Sequence, residues 1–363
     1  MVEVFRFSDD LGPAKIIHVY EPSVGLKGIL VVDNVARGPA IGGLRMGLEV
    51  CTEECFRLAR AMTLKNAIAD LPHGGGKSVI YADPKMPKKK KEYIIRAFAS
   101  SLREIQECIF GPDMGTDEEC MAWIKDEIGR AVGLPGDFGG IPLDEVGATA
   151  WGLAHATEVA LEYCDFDIEG ARVVVQGFGA VLVGAADSRG TIYNPQGLNV
   201  NALIELKQAG KSVADYTDGK KLDRDAVVDL ESDIWIPAAQ PDVIDENNVT
   251  RLKTKLVVEG ANIPITCGAE KYLHENDVLV LPDFIANAGG VICAAMEYQG
   301  ASQTAAFHAI EEKLRRNTKQ MLEGATTKEI PPREAARGIV VQRLKRCMGY
   351  RRWSLFSSAP GFV

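Results

Sequence analysis

The segment Arg172–Gly179 reads RVVVQGFG, a short apolar run that ends in a turn containing two glycines. A strand that runs directly into a glycine turn is typical of the start of a dinucleotide-binding α/β domain. Helical or polar stretches separate several of the later apolar runs, which lie near Val181, Ile234, Leu256 and Val278. This alternation predicts an α/β sheet in the second half of the chain.

The connection after the glycine turn is short. Only seven residues, 180–186, separate Gly179 from Asp187. A crossover connection between neighbouring parallel strands needs at least about 10 to 12 residues. Leu182 also stands where the dinucleotide fingerprint has its third glycine. Three interpretations stay open: the strands form an antiparallel hairpin turned at Gly177–Gly179, one strand leaves the sheet, or the recorded sequence lacks a segment.

Three residues of this region are candidates for cofactor binding: Gly177, Gly179 and Asp187. Asp187 has the position of the acid that accepts the ribose hydroxyls, which favours NAD. Ser188 and Arg189 follow it and suit a 2′-phosphate, so NADP is equally open.

Length and composition predict a cytoplasmic two-domain protein. The 363 residues suit two domains, which we place at 1–143 with about 335–363, and at 144–334. The amino terminus shows no secretory signal, and no apolar run approaches the roughly 20 residues of a membrane span. A net charge of −9 argues against nucleic acid as a partner. Eight scattered cysteines and five histidines show no metal-ligand spacing, so we expect no metal.

Two glycine-lined turns carry the residues with catalytic chemistry. PHGGGKS at Pro72–Ser78 presents Lys77, and GPDMGT, which begins at Gly111, presents Asp113. A phosphate loop is excluded because it needs a glycine five positions before Gly76, where this chain has Leu71. A lysine held beside a pocket polarises a carbonyl, and a carboxylate nearby exchanges protons with the substrate. The alternatives are a surface lysine and an aspartate that only shapes a turn.

Six segments in order resemble the glutamate, leucine, phenylalanine and valine dehydrogenase superfamily, with a pattern closest to its leucine and branched-chain members. The resemblance covers about residues 25 to 345, and its segments are GPAIGGLRM (Gly38–Met46), AMTLKNA (Ala61–Ala67), LPHGGGKS, GPDMGT, VQGFGAV and PDFIANAGGV (Pro282–Val291). It implies an α/β fold with an amino-terminal substrate domain and a Rossmann-like domain. It also implies NAD or NADP as the cofactor and a homo-oligomer.

The resemblance also implies roles for individual residues. Lys77 would be the catalytic lysine, and Asp113 would move protons to and from the amino nitrogen. Lys65 would hold the substrate carboxylate, and Asn287 and the backbone of Gly43 would complete the amino-acid site. Thr149 and Asn262 would contact the nicotinamide half of the cofactor. The implied reaction is oxidative deamination of an amino acid to a 2-oxo acid and ammonia.

Two apolar residues bear on the choice of substrate. Relatives that act on glutamate usually carry a lysine just before the GGLR glycines, and this chain has Ile41 there. Ala294 adds neither charge nor hydroxyl, so apolar or branched-chain amino acids are favoured, unless Ile41 is plain core packing. The alternatives are a glutamate dehydrogenase and a non-catalytic paralogue whose cofactor site is impaired by the short connection.

Overall fold

The computed structural model describes residues 5–142, 146–176 and 182–350. The chain divides into two compact units. The first unit comprises Met1–Ala148, Gly290–Lys313 and Arg337–Val363, and the second comprises Thr149–Gly289 and Leu314–Ala336. The predicted second domain included residues 290–313, which here group with the first unit. A physical reason is that Glu297 accepts hydrogen bonds from the backbone N–H groups of Gly133 and Leu134, at 2.8 and 3.1 Å.

A five-stranded sheet forms the centre of the first unit, with strand order β1-β2-β4-β3-β5. The strands are β1 Lys15–Glu21, β2 Leu26–Asn34, β3 Ala40–Gly47, β4 Gly74–Tyr81 and β5 Cys108–Pro112. β1 and β4 pair with β2 in antiparallel fashion, whereas β3 pairs in parallel with β4 and with β5. The side chains at the carboxyl ends of β3, β4 and β5 therefore converge at one edge.

Three helices cover the two faces of this sheet: α1 Thr52–Ile68, α2 Lys88–Ser101 and α3 Glu118–Ile128. α2 and α3 form the larger core against one face, in which Phe98 and Phe110 meet edge to face. α1 packs against the other face, where Cys55 and Ala59 contact Val31 and Val79. Because side chains alternate along a strand, the odd-numbered residues of β4 point towards α1.

The second unit contains a seven-stranded sheet of order β12-β11-β10-β6-β7-β8-β9. Its strands are β6 Val173–Gln176, β7 Leu182–Asp187, β8 Gly190–Leu198, β9 Lys220–Leu222, β10 Ile234–Pro237, β11 Leu256–Val258 and β12 Leu279–Leu281. The five strands β12, β11, β10, β6 and β7 run parallel, and β8 and β9 add an antiparallel edge. The predicted fold class, a two-domain α/β protein with a Rossmann-like sheet, is confirmed.

The pairing of β6 with β7 corrects two of the interpretations of the short connection. The two strands are parallel neighbours, with Val174 opposite Gly184 and Val175 opposite Ala185. The hairpin and the strand that leaves the sheet are therefore both wrong. Residues 177–181, which join the two strands, include the predicted cofactor residues Gly177 and Gly179 and lie outside the described residues.

The remaining helices are α4 Ala148–Leu161, α5 Val200–Gln208, α6 Cys267–Glu275, α7 Asp283–Ala286, α8 Gly289–Tyr298, α9 Gln303–Lys328 and α10 Pro332–Tyr350. None of the helices in the described part of the chain is long and apolar enough to cross a membrane.

Candidate active site

Lys77 and Asp113 lie together on the face of the first sheet that α1 covers, where β3, β4 and β5 run parallel. Lys77 occupies the middle of β4 and is only 6% exposed, and Asp113 directly follows β5. The Lys77 ammonium forms an ion pair with Oδ2 of Asp113. A buried cation in contact with a carboxylate is a suitable pair for proton exchange with a bound molecule.

Gly43 keeps space open beside this pair. A Cβ atom at Gly43 would lie 2.8 Å from Cβ of Asp113 and 3.2 Å from Nζ of Lys77. Any side chain there would displace both groups. The glycine therefore lets the strand backbone approach the two charged side chains closely.

Arg45 is a third charged member of the site, which the sequence did not reveal. It lies two residues after Gly43, so both point to the same face of β3. Its Nε donates to Oδ2 of Asp113 at 3.2 Å, and its Nη1 donates to Glu54 of α1 at 2.5 Å. Burial would raise the pKa of Asp113, but the positive charges of Lys77 and Arg45 lower it below its usual value. Asp113 is therefore ionised at neutral pH.

Thr116 fixes the backbone that carries Asp113. Its hydroxyl accepts a hydrogen bond from the N–H of Asp113 at 3.1 Å and lies 2.7 Å from the carbonyl oxygen of Leu44, to which it donates. This hydroxyl thus ties the turn after β5 to the neighbouring strand β3.

The other predicted residues of the amino-acid site in the first unit are also buried. Lys65 lies near the end of α1, the helix that covers the Lys77 face of the sheet, and is 6% exposed. Ile41 is 3% exposed and lies two residues before Gly43, on the same face of β3. Ala294 is a buried residue of α8.

In the second unit, Asn262 and Asn287 lie side by side. Nδ2 of Asn287 donates to Oδ1 of Asn262 at 3.2 Å and to the carbonyl oxygens of Gly260 and Ala261 at 3.1 Å. Oδ1 of Asn287 is buried and has no partner among the described residues. A donor group of a bound molecule would satisfy this oxygen. Thr149, the second residue of α4, is half-buried.

Asp187 ends β7, as the dinucleotide fingerprint requires, but its own chain already occupies its carboxylate. Oδ1 accepts hydrogen bonds from Ser212 and from the N–H of Arg189, and Oδ2 accepts from Lys207 and from the N–H of Val213. Burial would raise the pKa of Asp187, but these hydrogen bonds hold it well below its usual range. A ribose hydroxyl would have to compete with four internal donors.

The described residues fit a dinucleotide only in part. Asn262, which accepts a hydrogen bond from Asn287, offers a polar group suited to its nicotinamide half. The five residues between β6 and β7 are too few for the crossover helix whose amino terminus usually receives the pyrophosphate. No group of three or more His, Cys, Asp or Glu side chains within residues 5–142, 146–176 and 182–350 is arranged to hold a metal ion.

Two family models match the chain. The model of the Glu/Leu/Phe/Val dehydrogenase dimerisation domain covers residues 13–130, and the Glutamate/Leucine/Phenylalanine/Valine dehydrogenase model covers residues 139–352.

Individual relatives agree with these models. Glutamate dehydrogenase of Aeropyrum pernix is 35% identical over 88% of this chain and 85% of its own. NADP-specific glutamate dehydrogenase of Saccharolobus shibatae is 34% identical over 73% of this chain and 69% of its own. Among solved structures, the hetero-hexameric glutamate dehydrogenase of Thermus thermophilus in its Leu-bound form superposes with a TM-score of 0.84. The two sequences are 27% identical, and the match covers 94% of this chain and 91% of the Thermus thermophilus chain.

These matches confirm the predicted family, the enzyme class and the use of NAD or NADP. The chain belongs to the Glu/Leu/Phe/Val dehydrogenase family and is an amino acid dehydrogenase that acts on a CH–NH2 group with NAD or NADP as its cofactor.

Proposed function

We propose that this enzyme carries out the reversible oxidative deamination of an apolar L-amino acid, with branched-chain amino acids such as leucine preferred. The observation that carries this preference is Ile41. It is buried on the strand face that also bears Gly43 and Arg45, two residues from the backbone beside Lys77 and Asp113. An aliphatic side chain there gains by contact with an apolar substrate and offers no partner to a second carboxylate.

The proposed roles follow from charge and burial. Lys65 binds the substrate carboxylate, because a buried ammonium group is a strong partner for a carboxylate. Lys77 activates water and stabilises the developing oxyanion on the carbon that loses its amine. Asp113, ionised beside Lys77 and Arg45, takes up and returns the proton of the amino nitrogen.

Further groups orient the two reactants. The Gly43 backbone and Oδ1 of Asn287 contact the amino acid, and Ala294 adds apolar surface to its pocket. Thr149 and Asn262 contact the nicotinamide, which supplies the hydride acceptor. Gly177, Gly179 and Asp187 belong to the cofactor site, and the choice between NAD and NADP stays open. We further propose a homo-oligomer, which a dimerisation-domain match over residues 13–130 supports.

Glutamate is the second candidate substrate. The relatives from Aeropyrum pernix and Saccharolobus shibatae are both glutamate dehydrogenases, and their similarity covers most of this chain. Against glutamate stands the lack of a cation at position 41, since its side-chain carboxylate needs an opposite charge when it is taken out of water.

Measured kcat/KM values for leucine and glutamate decide between the two substrates. We expect the wild-type enzyme to favour leucine by at least about tenfold, and Ile41→Lys to shift the ratio towards glutamate by about 100-fold. Ile41→Val is the matched control, because it keeps an apolar residue and should keep the leucine preference. A wild-type enzyme that prefers glutamate contradicts the proposed substrate class, and one that is inactive with every amino acid contradicts the function.

A further inference from the structure

A buried cluster of charges lies next to Asn262 and Asn287 in the second unit. Arg333, at the start of α10, donates from Nε to Glu270 at 2.5 Å, from Nη2 to Glu259 at 2.6 Å and from Nη1 to Asp283 at 3.0 Å. Glu259 is fully buried, and Asp283 and Glu270 are nearly so. One guanidinium group thus joins three acids that lie on three different segments.

None of these four side chains has a role in the function proposed above. Burying charged groups costs free energy, so the cluster needs an explanation. A buried charge cluster can hold neighbouring segments of the chain in one arrangement. Glu259 follows β11 and also accepts the N–H of Asp283 at 2.8 Å, Glu270 belongs to α6, and Asp283 begins α7. Arg333 therefore fixes α6, α7 and the turn after β11 to α10.

The turn after β11 is strained. Ile263 has a φ of 46°, the left-handed region that β-branched residues rarely adopt. Its N–H donates to Oδ2 of Asp283 at 2.8 Å, and its carbonyl oxygen accepts the N–H of Asp242 at 2.9 Å. Asp283 thus uses one carboxylate oxygen for Arg333 and the other for the strained residue.

This carboxylate is connected to both asparagines. Asn262 directly precedes Ile263, and Asn287 ends the short helix α7 that Asp283 begins. We propose that Asp283, held by Arg333, is a positioning residue that keeps Ile263 in its left-handed conformation and so orients Asn262 and Asn287. The consequence for the reaction rests on the proposed function, which assigns these asparagines to the nicotinamide and the amino acid.

Relief of the strain provides the test. Glycine adopts a positive φ at no steric cost, so Ile263→Gly should reduce the need for the Asp283 hydrogen bond. We expect Asp283→Ala to lower kcat/KM for the cofactor by about 100-fold, and Asp283→Ala with Ile263→Gly to recover at least about tenfold of that loss. The matched control is Asp277→Gly, which relieves a positive φ of 59° elsewhere in the unit and should recover nothing.

Hydrogen exchange measures the same coupling without turnover. Asp283→Ala should speed amide exchange in peptides that contain residues 260–264, because the Ile263 N–H loses its acceptor. If Asp283→Ala does not fold, Arg333→Lys replaces it; we expect a smaller loss in the same direction, again recovered by Ile263→Gly.

Two results would overturn the proposal: unchanged exchange at residues 260–264 when Asp283 or Arg333 is altered, or a double variant no more active than its Asp283→Ala or Arg333→Lys parent. A wild-type enzyme without turnover refutes the proposed function instead, and exchange together with NADPH fluorescence titration then decides the positioning role alone.

Discussion

At the level of single residues, the two cations around Asp113 differ in how much their loss would affect the fold. Asp113 contacts two cations, Lys77 and Arg45, and Arg45 is balanced in turn by Glu54. Loss of Lys77 would therefore leave the buried carboxylate paired with Arg45. Loss of Arg45 would release both Asp113 and Glu54 and affect the structure more widely.

We therefore expect Lys77→Ala to abolish turnover while the fold is retained. Turnover should fall by at least about 1,000-fold, because the variant lacks the group proposed to activate water and stabilise the oxyanion. Steady-state kinetics measure the loss, and circular dichroism checks the fold. Lys27→Ala is the matched control, since Lys27 is an exposed lysine of β2 in the same sheet. Activity in Lys77→Ala within tenfold of wild type would refute the catalytic assignment.

The sequence predicted Lys77 and Asp113 because glycines mark the places where backbone approaches functional groups. Arg45 and Thr116 could not be assigned in this way. Thr116 and Glu119 have the spacing of a capping box, but the helix cap is Asp117, whose side chain accepts the N–H of Cys120. Thr116 instead bonds a strand 72 residues away in sequence. Contacts of that range depend on sheet pairing, which a local pattern does not show.

At the level of elements, strands β6 and β10 of the second sheet border an apolar cavity. A cavity of about 290 Å³ lies between α4 and the sheet and is mainly apolar. Its walls include Val173 and Val175 of β6, Ile234 and Ile236 of β10, and Leu153 of α4. An apolar sheet face of this kind is usually covered by a crossover helix in an α/β domain.

The sequence predicted the five parallel strands of this sheet but not β8 and β9, and the rule for connection length led to the wrong topology for β6 and β7. That rule describes crossovers that contain a helix. Five extended residues span roughly 17 Å, whereas the path from the end of β6 back to the start of β7 is roughly 11 Å. A parallel pair with a helix-free connection is therefore within reach of the chain. An anion site at the amino terminus of a crossover helix requires a longer connection.

This topology predicts weak cofactor binding that an inserted crossover improves. Insertion after Ala180 of the corresponding strand-to-helix segment of a glutamate dehydrogenase relative should lower the Kd for NADPH by at least about tenfold, because helix N–H groups and dipole would then face the pyrophosphate. Fluorescence titration measures the change. An insert of equal length rich in glycine and serine is the control and should not tighten binding. Equal affinity with and without the helical insert would show that the short connection does not limit the cofactor site.

At the level of the whole molecule, each unit has a hydrophobic core of its own. The first is centred on Phe98 and Phe110, and the second surrounds the fully buried Trp235. Length indicated two domains, and the alternation of apolar runs indicated the α/β sheet of the second. It did not place residues 290–313, because the hydrogen bonds of Glu297 that fix α8 join residues more than 160 positions apart.

The two units also contain buried groups with opposite responses to pH. In the second unit, burial raises the pKa of Glu259 from 4.5 to about 8, so the folded state holds its proton more tightly than the unfolded state. Stability is then lost as pH rises from about 4.5 to about 8. In the first unit, burial lowers the pKa of His73 from 6.5 to about 4, so stability is lost as pH falls through that range.

We therefore expect calorimetry to resolve two transitions whose midpoints move in opposite directions. The midpoint temperature of the second-unit transition should fall as pH rises from 5 to 8. Glu259→Gln should remove most of that fall, because the amide has no proton to lose. The midpoint temperature of the first-unit transition should fall as pH drops from 6.5 to 5, and His73→Gln should reduce that fall. Phe98→Ala creates a cavity in the core of the first unit and should lower the stability of that unit by about 3 to 5 kcal/mol. The transition that shifts in this variant is therefore the one of the first unit. If Glu259→Gln keeps the wild-type dependence above pH 5, the buried proton is not held at Glu259, and the pKa of another acid around Arg333 governs that unit.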